Sequence, residues 1–463
     1  MSYLQAEENP GTGSPRERAV GQAPDQALDV AVIGSGISGL SAAWLLSARH
    51  RVKLFEAEDR PGGQAHAVDV ATAQGRIPVD MGFIAYHEPA SPNLAALLRH
   101  LGVETVAADL SFAVSLDRGA LEYSDSGLSG LFAQRRNLLR PRFLGMLGDL
   151  VRFYRQGPQR AARYGLAPLD DFLDRQGYGR AFREDHLYPM AAAMGSIPAG
   201  QVGQYPVEAF LRWCENHRLL SLGERRDGRT VRGGSRQYVQ RLVASLGPGL
   251  RLGQAAVEVR RVPGGVFVRT ADARESGRFD QVVIATHADQ ALRLLPRPSD
   301  DERALLGAFA YTRHRAVLHT DPSLMPRRRA VWSGANYLAD RAAPGGPCVS
   351  YWMNRLQPLP AGQDWFLTLN PLQEPAARHQ VHTQTREHLR LDVAALRAQR
   401  VLWSLQGRQR TWFCGAYFGS GLHEDGLQAG LAVAEALGGV RRPWNVAGES
   451  GRIHLPAQPV QAA

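Results

Sequence analysis

DVAVIGSGISGLSAAWLL, residues 29–46, joins an apolar strand to an apolar helix through Gly34, Gly36 and Gly39, and the next apolar run, VKLFE, ends on Glu56. Gly34 permits the tight turn, Gly36 lets backbone approach a pyrophosphate, and Gly39 lets the helix pack on the strand. The first helical positions, Ile37 and Ser38, then present free N–H groups to the phosphates. Glu56 lies seventeen positions past Gly39, at the end of the second strand, where a carboxylate accepts hydrogen bonds from ribose hydroxyls. An acid there suits an unphosphorylated ribose. The stretch therefore predicts an α/β, Rossmann-like dinucleotide-binding domain.

The residues after Glu56 narrow the choice of dinucleotide. The run EAEDRPGGQAHA carries Ala57, Gly62, Gly63 and Gln64 directly after the acid, and Asp80-Met81-Gly82-Phe83 comes next. In NAD enzymes the chain passes straight into another helix at this point. A second glycine turn resembles the FAD-binding entry of the flavin amine oxidase and carotenoid desaturase superfamily, which implies FAD as cofactor. The resemblance implies that Ala57, Gly63, Gln64, Met81, Gly82 and Phe83 contact it.

Composition bounds the rest. With 463 residues, 44% apolar and 21% charged, the chain is long enough for two domains. No run of eighteen apolar residues predicts a transmembrane helix. Residues 1–27 lack the apolar core of a signal peptide and read as a disordered leader. Cys214, Cys348 and Cys414 stand at no metal-ligand spacing, so no metal is expected, and so few cysteines fit the cytoplasm. The net charge of +10 comes from 54 basic and 44 acidic residues, and Lys53 is the only lysine. A basic surface attracts anionic lipid or nucleic acid, but no nucleic-acid motif is present and no such partner is expected.

The cofactor signals are not contiguous. A strand pair at Ala256 to Thr270, which includes Val257, turns at Pro263-Gly264-Gly265. The buried run Gln281 to Thr286 leads into a helix, and a last glycine-rich block lies between Trp412 and Leu437. The expected FAD-binding domain is therefore discontinuous, 28–91, 228–287 and 401–440. An inserted α+β substrate domain occupies 92–227 and 288–400, and 441–463 form a C-terminal tail. PNLAALLRHLGV and LDDFLDRQGYG have helical spacing, while RAVLHT, CVSYWMN and DWFLTL read as strands flooring a pocket. The segment 134–156 sets six arginines beside an apolar stripe. It reads either as a helix lying in a membrane interface or as a packing helix with a solvated face.

The block TWFCGAYFGSGLHEDGLQAGLAVAEAL, with Gly415-Ala416 and Glu424-Asp425-Gly426, resembles the strand and glycine-initiated helix that the superfamily points at the flavin pyrimidine edge. A helix dipole there stabilises negative charge on reduced flavin. GFIAYHEPASPNL, RAVLHTDPSLMPRRRAVW and YWMNRLQPL further resemble a bacterial subgroup encoded beside cyclopropane-fatty-acid-synthase-like methyltransferases, and within it the acyl desaturases of furan fatty acid formation. That resemblance implies a phospholipid acyl chain as substrate, a conjugated diene as product, peripheral attachment at the inner face of the cell membrane, and functional pairing with a lipid methyltransferase.

Amine oxidases of the superfamily hold a water against flavin N5 with a lysine of the substrate domain and flank the amine with two aromatics. Lys53, inside the second nucleotide-domain strand, cannot serve there, and Leu422 stands near the place of one aromatic. Both departures favour a hydrocarbon substrate over an amine. Desaturation also needs a proton acceptor, and His423, Glu424 and Tyr86 lie nearest the flavin-contacting strings. The preferred reading of Glu424 is nevertheless as a cap of the helix that starts at Gly426 or a ribitol ligand, and that of His423 as a backbone contact only.

Overall fold

The computed structural model describes residues 26–73, 75–195, 199–220, 228–272, 275–342 and 346–456. All but the last two residues of the expected leader lie outside them. The apolar strand Asp29–Ile33 pairs in parallel with Arg51–Phe55 on one side and Gln281–Ile284 on the other; Leu250–Arg251 and Thr411–Phe413 complete a five-stranded parallel sheet. Val30, Ala31 and Val32 are fully buried, as strands covered on both faces require. The helix Ile37–Leu46 has no side-chain cap, and nine of its ten residues are buried. Packing therefore stabilises it, at about 1.5–3 kcal/mol for each large apolar side chain removed from water. It crosses the last helix, His423–Gly438, closely enough that a Cβ on Gly430 would stand 2.2 Å from the Ser38 carbonyl.

The second unit centres on a seven-stranded sheet in the order Gln380–Arg390, Ala310–His319, Phe366–Leu369, Cys348–Trp352, Ala335–Ala339, Phe112–Leu116, Leu121–Ser124. Strands from both inserted segments share it, joined where Ala335–Ala339 runs parallel to Phe112–Leu116. The helix Tyr188–Gly195 packs over these two strands. The strand Gln380–Arg390 is one edge of the sheet, and it runs along a large cavity between the sheet and the glycine turns.

Three expectations change. The boundary placed at residue 92 falls inside one packed unit: Thr105–Ala107 pairs with Gly228–Val231, and the helix Pro92–His100 packs on His423–Gly438. The tail expected from 441 is instead docked as far as it is described. Arg442 is 2% exposed, and its guanidinium holds Glu435 through two 2.8 Å bonds and the Asn93 side chain through one of 2.9 Å. In segment 134–156 the helix is Pro141–Ala161, preceded by a 3₁₀ turn at Arg135–Leu139. Met146 and Phe153 of its stripe are fully buried and Leu147, Leu150 and Tyr154 pack against the core, so the stripe faces inward.

Candidate active site

The two glycine turns, the strand Gln380–Arg390 and the start of the last helix enclose one cavity of about 1180 Å³. At one end Gly34, Gly36, Ile37, Ser38, Glu56, Ala57, Gly63, Gln64 and Val257 line it. A Cβ on Gly36 would meet nothing within 4 Å, whereas one on Gly39 would stand 1.9 Å from the Gly34 carbonyl oxygen. The first glycine thus leaves space for a ligand, and the second makes the packing contact. No side chain caps the N–H groups that start the helix Ile37–Leu46, and its first turn carries no acid, so its dipole and donors remain available to phosphates. Glu56 accepts from the Ser35 N–H at 2.8 Å, the Ser35 hydroxyl at 2.5 Å and the Glu58 N–H at 2.9 Å, which fixes its carboxylate at the rim.

A second helix N-terminus, Leu422 to Glu424, borders the same cavity, with Gly82, Phe83, Gly415 and Ala416 beside it. Gly426 and Asp425 act behind this wall. A Cβ on Gly426 would fall 2.8 Å from the Ser38 hydroxyl, and Asp425 accepts from the Leu422 N–H at 2.7 Å and from Arg452 at 3.3 Å. Gly39 and Met81 are likewise not on the lining. Met81 is fully buried with Val79 and Leu318 in a separate apolar cluster, because its side chain points away from the turn whose Gly82 faces the cavity.

The three side chains expected to take a proton are otherwise engaged. Both Glu424 oxygens are committed: Oε1 accepts from the Asn93 N–H at 3.1 Å, the Asn93 amide at 2.9 Å and Gln428 at 2.9 Å, and Oε2 accepts from the Leu94 N–H at 2.9 Å. Its carboxylate thus caps the helix Pro92–His100 from outside that helix. Burial raises its pKa, and these hydrogen bonds oppose the rise. The His423 ring stacks on Phe83 at 4.1 Å, and its Nε2 shares a 2.7 Å hydrogen bond with the Tyr238 hydroxyl; burial pushes its pKa down to about 3. The Tyr86 ring lines the cavity, but its hydroxyl bonds toward Thr105, and burial raises its pKa.

Sequence reasoning missed the strand Gln380–Arg390 altogether. Its β-branched Val381, Thr383 and Thr385 alternate with His382, Gln384 and Arg386, a period of two that marks a strand even where the inward residues are polar. Arg386 is 7% exposed and borders the cavity beside Gly82. Its Nε and Nη2 donate to the Gln384 side-chain oxygen at 2.8 and 2.6 Å, while the Gln384 amide donates to His66 Nδ1 at 2.8 Å. Burial lowers the Arg386 pKa to about 10, so it stays cationic. His388 comes next on the same face. Among the described residues its Nδ1 has no hydrogen-bond partner, and burial pushes its pKa down to about 3.

Fold and cavity together define a dinucleotide-binding architecture whose cavity runs on against a β-sheet edge. The chain belongs to the flavin containing amine oxidoreductase family, whose model matches residues 37–319, and its cofactor is FAD. An L-amino acid dehydrogenase of Synechocystis sp. is 25% identical over 288 residues, 60% of this chain and 59% of that protein. The chain thus spans less than two thirds of that relative's length. Among solved structures, a putrescine oxidase double mutant superposes with a TM-score of 0.65 at 15% identity, covering 89% of this chain and 99% of that one. A CLA-producing fatty acid isomerase from P. acnes gives 0.63 at 16%, covering 87% and 97%. At such identities the likeness carries the fold alone. The open space at Gly36, the uncapped helix start and the fixed Glu56 fit FAD.

Proposed function

We propose that this flavoenzyme desaturates an apolar acyl chain, converting a methyl-branched, already unsaturated fatty acyl group of a phospholipid to a conjugated diene. The observation that carries this reading is the wall beyond the glycine turns. Leu110, Trp213, Leu356, Leu367, Leu369 and Leu389 line it, and each carboxylate among the described lining residues already has partners. Glu56 holds Ser35, Glu58 pairs with Arg60 at 2.7 Å, Glu387 pairs with Arg313 at 2.9 Å, and Glu424 caps a helix. A protonated amine would find no free anion there and would meet Arg386, a buried charge of its own sign. Lys53 lies elsewhere, its ammonium 5.7 Å over the Phe279 ring on the nucleotide-domain sheet. The methyl branch, the phospholipid and the diene rest on the sequence strings that resemble the acyl desaturases.

When bound, FAD supplies a two-electron acceptor for a hydride equivalent from a C–H bond. The chain itself must align that bond, exclude water and receive a proton from a second carbon, whose C–H electron pair becomes the new π bond. We assign the proton to the His388 imidazole, which lines the cavity and whose Nδ1 is buried without a hydrogen-bond partner among the described residues. A weak base suffices where the C–H bond is allylic and becomes acidic as the hydride leaves. The stacked and hydrogen-bonded His423 keeps the facing wall rigid.

A second reading comes from Arg386, whose guanidinium is suited to holding a carboxylate, as an amino acid or free fatty acid would require. Anaerobic mixing of the yellow protein with methylated, unsaturated phospholipid, an L-amino acid mixture and a polyamine separates the readings. Bleaching of the flavin by the lipid alone is expected. Bleaching by amino acids or polyamine without bleaching by lipid overturns the desaturase reading.

A further inference from the structure

Four large apolar side chains stand exposed within seventeen residues: Leu128 (74%), Leu138 (51%), Leu139 (87%) and Leu144 (45%). Single exposed leucines are ordinary on a soluble surface, but a concentration of them marks an interaction site. They ride on the helix Gly127–Leu131, the 3₁₀ turn Arg135–Leu139 and the first turn of Pro141–Ala161. The platform is fixed from beneath: the Phe132 N–H donates to the Leu128 carbonyl at 3.0 Å, the Phe132 ring packs on Phe143 at 6.0 Å, and the Leu144 N–H donates to the Arg140 carbonyl at 3.0 Å.

The same turn gathers cations. Arg136 and Arg140 both donate to the Ala120 carbonyl, at 2.6 and 2.8 Å, and Arg328 reaches the adjacent Gly119 carbonyl at 3.5 Å. Three guanidiniums therefore converge on one hairpin turn, and their mutual repulsion adds to burial in lowering the Arg140 pKa. Arg328 pairs with Glu122 at 2.8 Å, whereas Arg135, Arg136 and Arg140 form no ion pair among the described residues. Crowded guanidiniums of this kind are relieved by an arriving anion, and phosphate suits their fork geometry. Leu138 and Leu139 sit in the chain between Arg136 and Arg140, so apolar tips and anion sites belong to one surface.

We infer that Leu128, Leu138, Leu139 and Leu144, with Arg135, Arg136 and Arg140, form a docking surface for an anionic phospholipid bilayer. The guanidiniums take lipid phosphates at headgroup depth, and the leucines enter the acyl boundary just below. The inward stripe of Pro141–Ala161 plays no part, so contact is made by the end of the helix and the turn before it rather than along its length. The inference goes beyond the proposed reaction and does not depend on it, because docking is measured without turnover.

Sedimentation of the FAD-loaded protein with phosphatidylglycerol-containing vesicles and with pure phosphatidylcholine vesicles tests it. Binding to the anionic vesicles is expected, weakening severalfold as salt rises from about 0.1 to about 0.5 M. Leu139→Glu and Leu128→Glu, at sites too exposed to affect folding, should each reduce it roughly tenfold with flavin content unchanged. Arg136→Gln with Arg140→Gln should reduce it by at least as much. No binding to anionic vesicles, equal binding to both vesicle types, or binding that the leucine substitutions leave unchanged would overturn the inference.

Discussion

Gly36 and Gly39 differ by three positions and by what a methyl group would meet. At Gly39 it would stand 1.9 Å from the Gly34 carbonyl oxygen, while at Gly36 it would enter open space. Gly39→Ala should therefore cost several kcal/mol of stability by forcing helix and strand apart, read as a lower urea midpoint. Gly36→Val should leave the apoprotein's melting transition nearly unchanged and abolish bound flavin, read as the flavin-to-protein absorbance ratio; full flavin retention would refute the loop assignment. His388 gives a sharper test of the chemistry. Its pKa of about 3 keeps the imidazole neutral down to acid pH. The rate of flavin reduction should thus be flat between about pH 5 and 8, with no acid limb near the ordinary histidine value of about 6.5. His388→Ala should slow reduction about a hundredfold or more with FAD content intact.

At the scale of elements, charged side chains tie the last helix to its neighbours. Glu424 caps the helix Pro92–His100 with both oxygens, and Arg442 fastens the segment after 440 to Glu435 and Asn93. Glu424→Gln must turn an amide N–H toward at least one existing donor, so it should cost about 1–3 kcal/mol of stability while FAD remains bound. Arg442→Ala leaves Glu435 with only the exposed Arg441, at 2.9 Å, as its ion-pair partner and leaves the buried Asn93 side-chain carbonyl without its 2.9 Å donor, so it should cost about 1–3 kcal/mol. The strand–loop–helix at residues 29–46 and the second glycine turn were legible because each rests on local spacing. The role of Glu424 was not, since its partners, Asn93 and Leu94, lie more than three hundred positions away. The edge strand Gln380–Arg390 escaped notice because its inward side chains are polar, which inverts the usual apolar-inward signal. The arginine-and-leucine segment was visible as composition, but only the fold separates its inward stripe from its outward leucines.

For the molecule as a whole, buried neutral histidines set the acid limit. Burial pushes His388 and His423 to about 3 and His319 to about 4, whereas unfolded they take up protons near 6.5. Between those values the unfolded chain binds more protons, so stability falls as pH drops, by roughly 2 kcal/mol for each of His388 and His423 at pH 5. Asp80, raised to about 7 by burial, works the other way: its contribution is full below about 4 and is lost as pH rises toward 7. Three groups outweigh one, so the urea midpoint should be lower at pH 5 than at pH 7; the reverse order would contradict the burial of these rings. One cavity joins the FAD site to an apolar wall, where the proposed reaction desaturates an acyl chain. Single-turnover oxidation of methylated, unsaturated phospholipid under argon, with flavin and diene absorbance followed together, tests it most directly. One conjugated diene formed per flavin bleached, at the same rate, is the predicted result. Flavin that stays yellow, or bleaches without diene, would contradict it.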